Sequence, residues 1–249
     1  MQQIDLNCDM GEGMPDDAIL MDYITSANVA CGFHAGDANT MQQTVRLALR
    51  KGVAIGAHPG LPDIPNFGRK EMAISTSEAY QITIDQIRAL HRIVKKTGAE
   101  LHHVKPHGAL YNMAARDVGL AKAIAQAVYD VDAGLILYAL AGSEMVKAAK
   151  ELGLKTASEV FADRTYQDDG SLTPRSQNNA LITDEQKAID QVLMMVKGQQ
   201  VISVNNKIIP LKAETLCLHG DGVQAVDFAR LINAKLKEQN IAIKAPQHG

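Results

Sequence analysis

Residues 101–112, Leu-His-His-Val-Lys-Pro-His-Gly-Ala-Leu-Tyr-Asn, read as a buried strand that runs at once into a lysine, a proline, an imidazole and a glycine. A strand that stops in a cation and an imidazole places polar chemistry at the edge of a sheet. The arrangement recurs along the chain. NVACGFHAGD (28–37), VAIGAHPG (53–60) and TLCLHGD (215–221) are short apolar runs that end in His with Gly close by. The first apolar run, 4–8, ends instead in Asp9 and then Gly11-Glu12-Gly13.

Seven such strands are expected, at 4–8, 28–31, 53–57, 101–105, 134–140, 155–160 and 215–218, with helical patterns between most of them. Residues 16–26 give a short helix or turn. Met41, Val45, Leu47, Ala48 and Leu49 form a broad apolar face that Asn39 or Thr40 can cap and Gly52 can stop. Ser75-Thr76-Ser77-Glu78 is a capping box opening a helix that ends at Gly98, and Thr183-Asp184-Glu185-Gln186 opens another that runs to Val196. Further helices are expected over 117–131, 143–152 and 223–239. Residues 201–204 and 207–211, joined by Asn205-Asn206, read as a β-hairpin outside the β-α rhythm. The segments 61–72 and 167–179 lack periodicity and read as long loops, which in compact domains are often functional.

Strands alternating with helices give parallel units with right-handed crossovers. Seven of them predict one α/β domain over 1–249, a β/α barrel of about seven parallel core strands with a hairpin insertion. An open doubly wound sheet is the alternative. In a barrel the reactive residues sit at the C-terminal ends of the strands, where the polar clusters fall. Composition narrows the function. A net charge of −3 gives no electrostatic reason to bind nucleic acid or an anionic membrane, and 4% aromatic residues with no Trp argue against a stacking platform. Cys8, Cys31 and Cys217 lie in apolar runs as reduced thiols would. With no signal-like start and no long apolar span, a cytoplasmic protein is expected.

His34, His58, His107 and His219 follow four different strands, so they can meet at one mouth as acid/base groups or neutral metal ligands. Asp9 can orient an imidazole, bind a divalent ion or act as a base. Glu12, between two glycines, sits where backbone can approach a ligand closely. Lys105 ends a buried strand and so needs a partner or a polar cavity, because an unpaired buried ammonium is costly. Arg164, beside Asp163, offers a fork for carboxylate or phosphate. Asp221 can hold a neighbouring imidazole in one tautomer. A metal remains open: Asp with several His suits a divalent ion, yet no H-E-x-x-H or C-x-x-C is present. No G-x-x-x-x-G-K-[ST] occurs either, so a nucleotide is not held in the Walker manner.

These motifs together resemble the LamB/YcsF family. DLNCDMGEG (5–13), SANVACGFHAGD (26–37), IGAHPGLPD (55–63), FGRKEM (67–72), HVKPHGALYN (103–112), EVFADRTY (159–166), DGSLTPR (169–175) and TLCLHGDG (215–222) occur in family order over nearly the whole chain. The stretch after Gly13 is shortened, Gly60 stands where the family often has Ser, and Asn66 where it often has Gly. The resemblance implies a barrel akin to the glycoside hydrolase/deacetylase superfamily. It also implies a role as one component of bacterial 5-oxoprolinase, which opens 5-oxo-L-proline to L-glutamate with ATP as co-substrate and subunits B and C as partners. Asp9, His34, His58, Lys105, His107 and Asp221 would then be the catalytic set, with Glu12, Arg164 and His219 binding substrate or phosphate. Two other classes compete: a stand-alone metal-dependent amidohydrolase or deacetylase, and a non-catalytic member of the complex.

Overall fold

Strand β1 (Gln3–Met10) alternates along its whole length. Ile4, Leu6, Cys8 and Met10 are buried on one side, and Asp5, Asn7 and Asp9 face the other. The computed structural model describes residues 2–218 and 225–247. In it β1 pairs with β2 (Ser26–Ala30), which pairs with β3 (Ala54–His58), and so on through β4 (His103–Val104), β5 (Ile136–Leu140) and β6 (Lys155–Phe161). β6 pairs with β9 (Thr215–Leu218), and β9 returns to β1, so seven parallel strands close a barrel. Closure leaves the barrel no free edge. A hairpin of β7 (Gln200–Ile202) and β8 (Ile208–Pro210) stands apart from it, at the place where the sequence breaks its β-α rhythm.

The outer faces of the strands are apolar and pack under the helices α2 (Ala38–Lys51), α3 (Thr76–Lys96), α5 (Val118–Val131) and α6 (Glu144–Glu151). Two capping expectations shift. Asp37 caps α2, accepting from the Thr40 backbone N–H at 2.7 Å, because Asp37 is extended and the helix begins one residue later. Asp184, with Thr183 outside the helix, caps α7 (Glu185–Gly198). The capping box at Ser75 and Glu78 is present, and Gly52 ends α2 in the left-handed region at φ 67°. Strand β4 falls inside the expected 101–105 but is only two residues long. Two elements are not legible in the hydrophobic pattern: α4 (Gly108–Arg116) starts immediately after His107, and β10 (Ala242–Ile243) pairs with the first residues of β1. Pro106 and Gly108 look like turn residues, but Gly68 of the preceding long loop accepts from the Ala109 N–H and so seats the start of α4.

The barrel interior is a hydrogen-bonded polar column. Buried parallel strands usually read as continuous apolar runs; here every second residue of β1 is polar. At the base the Asp5 carboxylate accepts from Thr25, Ser26 and Thr215 hydroxyls at 2.6, 2.8 and 2.6 Å. One layer up, Asn7 donates to Glu159 Oε1 and Thr215 Oγ1 at 2.9 and 2.7 Å. Asn28 then donates to Asn7 Oδ1 and Asp9 Oδ1, both at 2.8 Å, and takes a hydrogen bond from His103 Nε2 at 2.8 Å. The His103 ring stacks on Tyr138, with centroids 4.1 Å apart. The column runs from Asp5 at the base to Asp9 at the mouth, and pairing each buried polar group in this way is what makes it tolerable.

Candidate active site

Asp9, His58 and Lys105 come from the ends of β1, β3 and β4, and His34 and His107 from the loops that follow β2 and β4. Glu12 sits in the turn after β1, between Gly11 and Gly13, both at positive φ. The structure brings these six together. His34 Nε2 is 3.0 Å from Glu12 Oε1, His107 Nδ1 is 3.3 Å from the same oxygen, and His58 Nε2 is 3.2 Å from Asp9 Oδ2. Lys105 Nζ is 2.9 Å from Asp9 Oδ1. His219 and Asp221 lie outside the described residues. Arg164 lines the same cavity, but its guanidinium donates to the Thr173 and Ala180 carbonyls at 2.6 and 3.3 Å, tying down the 167–179 loop. Burial and the nearby Arg175 draw its pKa down to about 10.

Lys105 is the hub. Besides Asp9, its ammonium contacts Glu159 Oε1 at 2.9 Å, Asn7 Oδ1 at 3.1 Å and Cys217 Sγ at 3.2 Å. Burial disfavours the ammonium, but Asp9, with Cys217 and Glu159, outweighs it and holds the pKa well above the usual lysine value. Asp9 answers in kind: burial works against its charge, and His58 and Lys105 together hold its carboxyl well below the ordinary range. Tyr111 faces Glu159, and burial with the charge of Glu159 pushes its phenol well up.

The imidazoles are packed together. His58 Nδ1 lies 2.6 Å from the Lys105 carbonyl, His107 Nε2 lies 2.9 Å from the Phe67 carbonyl, and the two rings meet edge to face. His34 and His107 stack at 3.9 Å with planes 2° apart. Burial and the neighbouring His58 and His34 drop the His107 pKa to about 2, and burial lowers that of His34. Both rings are therefore neutral at physiological pH. The 61–72 loop supplies Phe67, whose carbonyl pins His107 and whose ring meets His34 and His107 edge-on. Gly60, one of the departures from the family pattern, is a close-approach position: a Cβ there would sit 2.4 Å from His34 Nδ1.

Asp9, His58, Lys105 and His107 form one wall of a cavity of about 800 Å³. Arg69, Lys147, Arg164 and Arg175 line the rest of it, among Glu71, Glu144 and Asp169. A cationic rim over imidazoles, a carboxylate and a buried ammonium suits an anionic substrate that needs proton transfers and stabilisation of a developing oxyanion. Sequence reasoning missed Glu159, Asn7, Asn28 and Tyr111. Alternation within Ile4-Asp5-Leu6-Asn7-Cys8-Asp9 is a signal that could have found Asn7; no local pattern marks Glu159.

The profile of the LamB/YcsF family matches residues 4–249. The chain is 57% identical to a protein of Geobacillus thermodenitrificans (strain NG80-2) named as the A subunit of 5-oxoprolinase, over 98% of this chain and 97% of that one. Among solved structures it is similar to a lactam utilization protein from Thermus thermophilus, with a TM-score of 0.91, 40% identity, and 98% and 100% of the two chains covered. The catalytic domain of a peptidoglycan N-acetylglucosamine deacetylase from Eubacterium rectale ATCC 33656 shares the fold alone, with a TM-score of 0.54 and 12% identity over 100% of this chain and 90% of that one. A closed seven-stranded barrel with this strand-end site, matched over nearly its whole length, belongs to the LamB/YcsF family.

Proposed function

We propose that this chain is the A subunit of a 5-oxoprolinase and that its barrel mouth opens the lactam ring of 5-oxo-L-proline, with ATP hydrolysis by the assembled complex. The observation that carries the reading is the Asp9–Lys105–Glu159 charge network, set beside three imidazoles in a cation-lined cavity, in a chain so close to relatives of that name. A five-membered lactam is a stable amide. Hydrolysis breaks its C–N bond, adds water oxygen to the carbonyl carbon and returns a proton to the departing nitrogen. Coupling to ATP, through phosphorylation of the amide oxygen, supplies the driving force. Arg69 and Arg175 at the rim suit the substrate carboxylate or a phosphate. Lys105 suits the charge that develops on oxygen, and Asp9 with His58 suits the proton transfers.

Subunits B and C are the partners this reading requires, with ATP as co-substrate. The test is 5-oxoproline-dependent release of phosphate and glutamate, measured for the chain alone and after adding its candidate partners. The expected result is turnover only in the mixture. ATP turnover that ignores 5-oxoproline in every combination would sink the reading.

A further inference from the structure

The facing imidazoles of His58 and His107 have a hydrogen-bonding conflict. His58 Nδ1 is 2.6 Å from the Lys105 carbonyl and His107 Nε2 is 2.9 Å from the Phe67 carbonyl. A carbonyl only accepts, so each of these nitrogens carries hydrogen, and in a neutral imidazole the other nitrogen is then a bare lone pair. The two bare nitrogens, His58 Nε2 and His107 Nδ1, are 2.9 Å apart. Glu12 Oε1 adds a third lone-pair group, 3.8 Å from the first and 3.3 Å from the second. Asp9 Oδ2 adds a fourth, 3.2 Å from His58 Nε2. With both rings neutral these acceptors have no hydrogen between them, an arrangement that a cation in their midst, a metal ion or a proton, would relieve.

We propose that His58 Nε2, His107 Nδ1 and Glu12 Oε1, with Asp9 Oδ2 alongside, bind one divalent transition-metal ion of the zinc class, and that His34 positions Glu12 without touching the ion. Bonds of about 2.0–2.2 Å from zinc to nitrogen or oxygen set tetrahedral ligand atoms roughly 3.3–3.5 Å apart. The separations of 2.9, 3.3 and 3.8 Å among the three principal ligand atoms straddle that distance. Two imidazoles with carboxylate favour zinc-like ions over magnesium or calcium, which take all-oxygen sites.

His34 belongs to the same cluster, its ligand atom within 4.8 Å of the other three. Its orientation excludes it from the ion. An imidazole binds metal in its own plane, and the His34 ring is stacked parallel on His107, so both cannot point at one ion. His34 instead donates from Nε2 to Glu12 at 3.0 Å and keeps Nδ1 as a bare, buried lone pair. That is the outer-shell pattern that orients ligands and raises their basicity. Asp9, His58 and His107 line the cavity, so the ion would sit in its wall within reach of a bound carbonyl or water, which it would polarise as a Lewis acid; with the ion bound, activation of water passes from Asp9 and His58 to the metal. Only that last use rests on the lactam reading.

The test is a titration of the full chain, stripped with a chelator, first with zinc chloride and then with cobalt(II), whose visible spectrum reports its ligands. One ion per chain and a raised melting temperature are expected. Glu12→Gln and His58→Asn should each weaken binding more than 100-fold, and His58→Asn should change the cobalt spectrum. His34→Asn should weaken binding only roughly 10–100-fold with an unchanged cobalt spectrum. His34→Gln, which restores an N–H toward Glu12, should recover part of the loss. If His58→Asn does not fold, the near-isosteric Glu12→Gln carries the same comparison. A folded, stripped chain that takes up no ion at one equivalent overturns the proposal, and a proton shared by His58 and His107 would replace it. Ligand variants that bind like the parent, or a His34→Asn variant with an altered cobalt spectrum, overturn the assignment of roles. Neither lactam, ATP nor partner subunits enter the titration, so its failure leaves the ring-opening assay to stand or fall separately.

Discussion

At the scale of single residues, the structure makes stability and chemistry at Lys105 inseparable by one substitution. Lys105→Met strands Glu159, which is fully buried, and part of Asp9. Removing one member of a buried pair costs about 3–5 kcal/mol, so the melting temperature should fall along with turnover. Adding Glu159→Gln keeps an acceptor for Asn7 and removes the stranded charge, and should restore most of the stability. If Lys105 also neutralises charge in the reaction, the stable double variant stays depressed by roughly 10²–10³ in turnover. A double variant that regains turnover together with stability would reduce Lys105 to scaffolding. Asp5, at the other end of the column, yields a pH prediction. Burial raises its pKa despite the hydroxyls of Thr215, Thr25 and Ser26. The folded state therefore holds this proton more tightly than the unfolded chain. The penalty on the native state is complete above the folded pKa and disappears as pH falls toward the unfolded value near 3.8. Melting of Asp5→Asn relative to the parent should accordingly look best near pH 7 and lose ground near pH 4. A difference that does not change with pH would mean that burial leaves the Asp5 pKa where it is in the unfolded chain. The sequence showed Lys105 needing a partner, because a lysine ending a buried strand always does. It did not show which partner: Glu159 is 54 residues away along the chain, and only barrel closure brings it near.

At the scale of elements, β3 and β4 illustrate what a sequence can and cannot disclose. The run at 53–57 announces β3 by its apolar residues and the His that ends it, and the structure puts a strand there. The run at 101–105 announces β4 as well, but not that only His103 and Val104 are strand or that Gly56 lies opposite His103. That pairing explains a glycine in mid-strand: a Cβ at position 56 would meet His103 Nε2 at 2.1 Å. Gly56→Ala must push the imidazole away from Asn28 and off Tyr138, and overpacking of this kind costs roughly 1–3 kcal/mol. His103→Ala removes the obstacle, so the pair of substitutions should be less destabilising than the sum of the two alone. Simple additivity in denaturant unfolding would show that the ring does not fill the space over Gly56. The helices were legible from their apolar faces and stops. The caps at Asp37 and Asp184 were misplaced by one to three residues, because several capping residues stand in a row and only the backbone angle decides among them.

At the scale of the whole molecule, the barrel divides function from stability between its two ends. Chemistry gathers at the C-terminal mouth, while the opposite end is closed by the tail: β10 pairs with Gln3 and Ile4, Ile241 is buried, and the Pro246 carbonyl accepts from His102 Nε2 at 2.7 Å. Among the described residues no helix is long and apolar enough to cross a membrane. The tail could not be foreseen, since a two-residue strand carries no pattern, and it lies far along the chain from the β1 residues that it covers. Ending the chain after Asn240 should leave the mouth intact and open the base. Losing Ile241 alone forfeits about 1.5–3 kcal/mol of apolar burial, which for a chain of this size lowers the melting temperature by roughly 4–10 °C. The tail touches neither Lys105 nor the imidazoles, so lactam turnover per folded molecule, with the partner subunits added, should stay within about twofold of the parent. The two measurements together test the division of labour. A truncated chain that melts like the parent would show that the tail does not brace the base. One that keeps its fold but loses turnover would show that the two ends are coupled through the polar column from Asp5 to Asp9.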